Sequence, residues 1–180
     1  MAKKQILDRL KAQVSALEKR VEQLDQDGSG HMSFWRFNVP AIDELLPHGG
    51  LDSANVHEIL WPHQADRVAA IGCVLALITK NDGAGPILWC QSKRNTLDHG
   101  FPYTHGIGAI GMSPGRILFL SLKNDREILW ALEEALKSGA LAAVMGEVET
   151  DLKSSRRLGL AASTGKTPCF ILHTAREGMN

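Results

Sequence analysis

Between Val56 and Ile71 the chain has the grammar of a phosphate-binding strand, loop and helix, and none of its chemistry. An apolar strand, Val56-His57-Glu58-Ile59-Leu60-Trp61, runs into a turn at Pro62 and then into an apolar helix expected from about Ala65 to Thr79. A working phosphate loop reads Gly-x4-Gly-Lys-Ser/Thr at such a junction. Its glycines let backbone N–H groups close round the phosphates, its Lys reaches the terminal phosphate, and its hydroxyl holds magnesium. The corresponding positions here are Trp61, Asp66, Arg67 and Val68. Trp61 is bulky, Asp66 repels phosphate and Val68 cannot ligate a metal. The loop Trp61, Pro62, His63, Gln64, Ala65, Asp66, Arg67, Val68 therefore predicts a nucleotide-binding type of fold with no nucleotide site and no cofactor. Arg67 reads as a solvated charge or as the ion-pair partner of Asp66 or another nearby acid; contact with an anion from the first helical turn is the alternative.

Further segments extend the alternation of strand and helix. Pro86-Ile87-Leu88-Trp89-Cys90 is a continuous apolar run of the kind buried in a parallel sheet. Gln91 to Gly106 reads as polar and irregular, followed by a short helix to about Gly111 and a third strand, Arg116 to Leu122. Asn124 or Asp125 caps a helix over Arg126 to Lys137 whose apolar face is Ile128, Leu129, Leu132 and Leu136. A fourth strand is expected over Leu141 to Met145, a helix over Asp151 to Ser163, and a fifth strand over Pro168 to His173. Strands alternating with helices predict βαβ crossovers and a three-layer α/β sandwich with a mostly parallel sheet.

The N-terminus differs in kind. Leu7, Leu10, Val14, Leu17, Val21 and Leu24 alternate spacings of three and four, the seam of a short coiled coil, so residues 1–25 are expected as an amphipathic helix and interaction arm. The stripe has three possible covers: its own domain, a second copy, or another protein. Residues 26–36 read as a linker, 37–175 as the core domain and 176–180 as a C-terminal end. Gly28-Ser29-Gly30-His31-Met32 also has the letters of a cloning junction, in which case Met32 or Ser33 begins the native segment.

Charge narrows the partners. Twenty basic and twenty acidic residues leave a formal charge of zero, so no global field draws the protein to nucleic acid and any such contact needs a local patch. Lys153, Arg156 and Arg157 on one predicted helix, with Lys166 beyond it, form the candidate patch; a solvated or salt-bridged helix face is the plain reading. Phe34, Trp35 and Phe37 read as a packing lid, and Glu133-Glu134 as a solvated helix face. Cys73, Cys90 and Cys169 stand far apart in apolar segments and read as reduced, buried thiols, and the seven His residues show no ligand spacing, so no metal site is expected. No apolar run reaches the length of a membrane span, and a cytoplasmic location is expected. Ser163-Thr164-Gly165-Lys166-Thr167 spells part of a phosphate loop, but it follows a helix and precedes a strand, the reverse of the required context, and reads as a turn.

The order of these pieces from about Phe37 to His173 resembles the ATPase core of the RecA recombinase. Glu58-Ile59-Leu60-Trp61-Pro62 stands where recombinases carry Glu-Ile-x-Gly-Pro. The chain departs from them at each chemical position: Gln91-Ser92-Lys93 where a water-activating Glu is expected, and Met145-Gly146, with Glu147 next, where the magnesium-side Asp is expected. More specific blocks are Pro40-Ala41-Ile42-Asp43-Glu44-Leu45-Leu46-Pro47-His48-Gly49-Gly50-Leu51, Trp130 to Val144 with Gly146-Glu147, and Ser155-Arg156-Arg157-Leu158 with Leu160-Ala161-Ala162. Together they are similar to the ImuA family of RecA-like proteins of bacterial damage-induced mutagenesis.

That resemblance implies a non-enzymatic accessory role in translesion synthesis, beside an inactive Y-family polymerase of the ImuB kind and an error-prone replicative-type polymerase subunit. It also implies that the N-terminal helix could dock on a second copy or on a RecA-type recombinase, and that DNA contact would be weak. Family members usually continue past the last strand into a tail implicated in partner contact, whereas this chain stops at Asn180. The division inhibitor SulA, which binds FtsZ, is a more distant resemblance and gives an alternative reading. A residual nucleotide-dependent, RecA-like DNA-binding ATPase is the competing class. Glu147 and Glu149, at the end of the fourth strand, lie near where ligands bind in open α/β sheets, yet no phosphate grip accompanies them and catalysis is not expected.

Overall fold

The computed structural model describes residues 33–81 and 85–175. The chain divides into two units, Met1–Ser33 and Phe34–Asn180. The seam of Leu7, Leu10, Val14, Leu17, Val21 and Leu24 lies outside the described residues. In chain order the second unit contains β1 (Phe34–Trp35), α1 (Pro40–Asp43), β2 (Leu51–Asp52), β3 (Val56–Trp61), α2 (Arg67–Asn81), β4 (Ile87–Ser92), α3 (Lys93–His99), α4 (Thr104–Ala109), β5 (Ile117–Leu122), α5 (Asp125–Ser138), β6 (Ala143–Glu147), α6 (Leu152–Gly165) and β7 (Cys169–Thr174).

Five strands form one sheet in the order β3-β7-β6-β4-β5, with every pair parallel. The sequence explains the ranking. All of β6 is buried, as are the first five residues of β4, so each reads as an apolar run up to the buried Glu147 or Gln91 near its carboxyl end, whereas β5 at the edge alternates between half-buried and exposed residues. Successive side chains point to opposite faces. Trp89, Met145, Phe170 and Leu172 therefore meet Ile71, Val74, Leu75 and Ile78 of α2 on one face. On the other, Leu88, Cys90, Val144 and Ile171 meet Ile128, Leu132 and Leu136 of α5 and Leu158, Ala161 and Ala162 of α6. The three-layer α/β sandwich expected from the alternation is the observed architecture.

Caps set the helix ends. The Asn124 side chain accepts the Glu127 N–H at 3.0 Å at the head of α5, and Gly139 closes that helix at φ 60°. Asp151 caps α6 by accepting the Ser154 N–H at 2.7 Å, a bond that holds its carboxyl below the usual carboxylate range.

Three local readings change. The segment expected to be irregular after Gln91 contains α3, capped by Ser92 Oγ accepting the Asn95 N–H at 3.0 Å; α3 buries no residue, so it carries no apolar periodicity to detect. Phe34 and Trp35, at the end of the expected linker, pair with β2, and Trp35 enters the core. Of the three cysteines expected to be buried, Cys90 and Cys169 are, but Cys73 is exposed on α2, because its neighbours Val74 and Leu75 take the core-facing positions. Burial pushes the Cys90 thiol up to about 12 and raises that of Cys169 as well. Partial desolvation raises the Cys73 thiol too, so a thiol titration at pH 8 is expected to find one accessible, slowly reacting cysteine in the native protein and three in denaturant, and Cys73→Ser to leave none in the native protein.

Candidate functional site

At the carboxyl ends of the strands, where open α/β sheets place ligands, the chain presents its own side chains to one another. β3 ends at Trp61, and a short 3₁₀ turn over Gln64–Asp66 hands the chain to α2. Arg67, the first residue of α2, turns inward and is only 9% exposed. Its Nε donates to Glu147 Oε2 at 2.7 Å and its Nη2 to Glu147 Oε1 at 2.8 Å, a two-pronged ion pair across 80 residues of sequence. Trp89 Nε1 also donates to Glu147 Oε1, at 3.1 Å, and Arg67 Nη2 reaches Gln91 Oε1 at 3.4 Å. Gln91 Nε2 in turn donates to Thr96 Oγ1 at 2.9 Å and to the Gly100 carbonyl at 3.2 Å.

This network ties α2, β4, β6 and α3 together beneath the strand ends. The partner of Arg67 is thus Glu147, neither Asp66 nor solvent. The reading of Arg67 as a solvated charge is corrected by its burial. Gln91 and Trp89 complete the network, and sequence alone gave no sign of either role, because both lie within an apolar strand and the carboxylate at the centre, Glu147, is more than fifty residues away.

Two hollows flank the network. A groove of 630 Å³ over the strand ends is lined by Trp61, Gln64, Arg94, Asp98, Glu147 and His173, among others, and mixes both signs of charge. A pocket of 360 Å³ beside α2 is mostly apolar, walled by Val68, Ile71, Leu75, Phe101, Tyr103 and Ile107. Trp61 is buried and its Nε1 has no hydrogen-bond partner among the described residues. No group of His, Cys, Asp and Glu among the described residues could hold a metal ion, and no helix among them is long and apolar enough to cross a membrane.

The cationic residues singled out in the sequence do not form one patch. Lys153, Arg156 and Arg157 stand on the first turns of α6, but Lys166 follows its last residue, roughly 14 to 20 Å from them at 1.5 Å per residue. Arg157 pairs with Glu133 of α5, which also accepts from Lys137 at 2.9 Å. The bond from Lys137, assisted by the charge of Arg157, holds the Glu133 carboxyl below the usual range. Glu133 is therefore an inter-helix ion-pair partner, while Glu134 beside it stays on the surface. The Gly165-Lys166-Thr167 letters have a packing role. A Cβ on Gly165 would lie 1.8 Å from the Leu136 carbonyl oxygen, and Thr167 is buried with its hydroxyl bonded to the Gly165 carbonyl at 3.0 Å.

The fold is a parallel α/β domain similar to that of SulA from Pseudomonas aeruginosa, which aligns with a TM-score of 0.54 over 67% of this chain and 98% of its own, at 16% identity. In sequence the chain is similar to ImuA. Protein ImuA from two strains of Caulobacter vibrioides, NA1000 / CB15N and ATCC 19089 / CIP 103742 / CB 15, is 28% identical over 148 residues, 79% of this chain. The chain spans 58% of the length of those curated relatives. No protein-family model matches it.

Proposed function

We propose that this chain is a non-catalytic accessory protein of damage-induced mutagenesis, acting in translesion DNA synthesis by binding other proteins. The partners this reading assigns are an inactive Y-family polymerase of the ImuB kind and an error-prone replicative-type polymerase subunit. The observation that carries the non-catalytic part is the Arg67–Glu147–Trp89 cluster. The cation at the head of α2 is consumed by an internal carboxylate, so it is not offered to a phosphate. The similarity to ImuA supports the pathway. The test has two arms. Thermal denaturation with millimolar ATP and magnesium is expected to leave Tm unchanged, since only a ligand that binds the native state raises it; a rise of several degrees would instead favour a residual ATPase. Pull-down with a purified ImuB-like polymerase is expected to retain the chain, and failure of that arm alone would remove the assigned partner while leaving the non-catalytic reading in place.

A second reading draws on the alignment with SulA, nearly all of which is matched by this fold. As a SulA-like division inhibitor, the chain would bind FtsZ and suppress its GTP-driven sedimentation. An unchanged FtsZ pellet at excess protein would eliminate that reading.

A further inference from the structure

Of the four tryptophans in the chain, three are core residues: Trp35, Trp61 and Trp89 are 7%, 5% and 5% exposed. The fourth, Trp130, is 63% exposed on α5. It borders a groove of 410 Å³ between α5 and α6, with Leu129 and Leu158 below it and Arg126, Glu133 and Arg157 around it. The one acid lining this groove is already engaged, since Glu133 accepts from both Arg157 and Lys137. Nearby acids keep their charge, with Asp151 and Glu127 accepting the backbone N–H groups of Ser154 and Lys123 and Glu134 paired with Lys137, so the cations that matter are those exposed beside the indole. Lys153, one turn before Arg157, and Arg156 beside it are exposed and carry the positive charge along α6 beyond the groove.

We propose that this face binds single-stranded nucleic acid, with a base stacked on the Trp130 indole and the flanking phosphates taken by Arg126, Lys153 and Arg156. Every base has a π face, so an open indole beside cations holds a strand without reading its sequence. An acidic peptide with an apolar anchor fits less well. Such an anchor needs a mostly apolar hole, like the pocket beside α2, whereas this groove is ringed by Arg126, Glu133 and Arg157. The cations also continue past the groove, as a phosphate backbone requires and a single anchored side chain does not. The inference stands on α5 and α6 and does not depend on the polymerase partners assigned above.

The burial of the other three tryptophans makes the test selective. Titrating the full chain with an oligothymidylate of about 12 nucleotides is expected to quench tryptophan emission saturably. A fourfold rise in salt is expected to weaken binding roughly tenfold, from two or three phosphates at the single-strand slope. By anisotropy of a labelled oligonucleotide, Trp130→Ala should lose about tenfold in affinity. Lys153→Glu combined with Arg156→Glu should weaken binding and flatten the salt slope. All three positions are exposed, and an unchanged circular dichroism melt will confirm that the variants fold. Absence of quenching, or binding indifferent to both variants, overturns the proposal. Quenching by a polyglutamate peptide but not by the oligonucleotide overturns it in favour of an acidic protein.

Discussion

Arg67→Ala is expected to destabilise the protein by about 3–5 kcal/mol, because removing one member of a buried ion pair leaves the other charged and unpaired. Glu147 is the group left behind: 4% exposed, it would keep only the Trp89 N–H at 3.1 Å as a donor among the contacts described here. For a chain of this length that loss corresponds to a fall in Tm of roughly 10 °C. Urea denaturation of a double-mutant cycle separates the pair from its surroundings. Arg67→Met with Glu147→Gln removes both charges while leaving an amide oxygen for Trp89, and it is expected to cost less than Arg67→Ala alone. Arg67→Met with Glu147→Leu orphans the indole N–H as well and should be worse by about 1–3 kcal/mol. A double variant that cost the sum of Arg67→Met and Glu147→Gln alone, showing no coupling, would mean that the pair is not the element holding α2 to β6.

The cycle also bears on function. A cation consumed in this way serves the fold, and the same bond that steadies the head of α2 removes the charge that a phosphate would seek. If stability and phosphate affinity compete for one guanidinium, a variant such as Glu147→Gln should free Arg67, and any ATP-induced rise in Tm would appear there before it appeared in the unaltered protein.

The sheet was legible because its signals are local. Apolar runs at β4 and β6, an Asn cap before α5 and an Asp cap before α6 each lie within a few residues of the structure they dictate. The candidate site was legible only in negative form. Trp61, Asp66, Arg67 and Val68 show from their chemistry that the usual phosphate grip is missing, but what fills the space depends on register. Glu147 faces Arg67 because β6 lies two strands from β3, and pairwise strand order is not written in any short window. Trp130 escaped notice for a related reason. The spacing of Ile128, Leu129, Leu132 and Leu136 already leaves it off the apolar face of its helix, but which cations stand beside the exposed indole depends on how α5 and α6 pack.

Two glycines of α6 test how the helices were chosen for each other. Gly165→Ala is expected to destabilise the protein by about 3 kcal/mol or more, above the usual range for overpacking, since the added Cβ would stand 1.8 Å from the Leu136 carbonyl oxygen and 2.9 Å from its carbon. These are backbone atoms of α5, closed behind by the Gly139 turn, so no side chain can swing away to make room. Gly159→Ala, six residues earlier on the same helix, meets only Asn55 Oδ1 at 4.0 Å and should stabilise by up to about 1 kcal/mol through helix propensity. Chemical denaturation of the two variants therefore gives opposite signs from one substitution type in one helix. If Gly165→Ala proved neutral, α5 and α6 would have to approach less closely than they do here, and the Gly-Lys-Thr letters would need another explanation. A loss confined to Gly165 instead assigns that glycine to helix contact and the neighbouring Thr167 hydroxyl to the turn that follows, leaving the segment no part in holding phosphate.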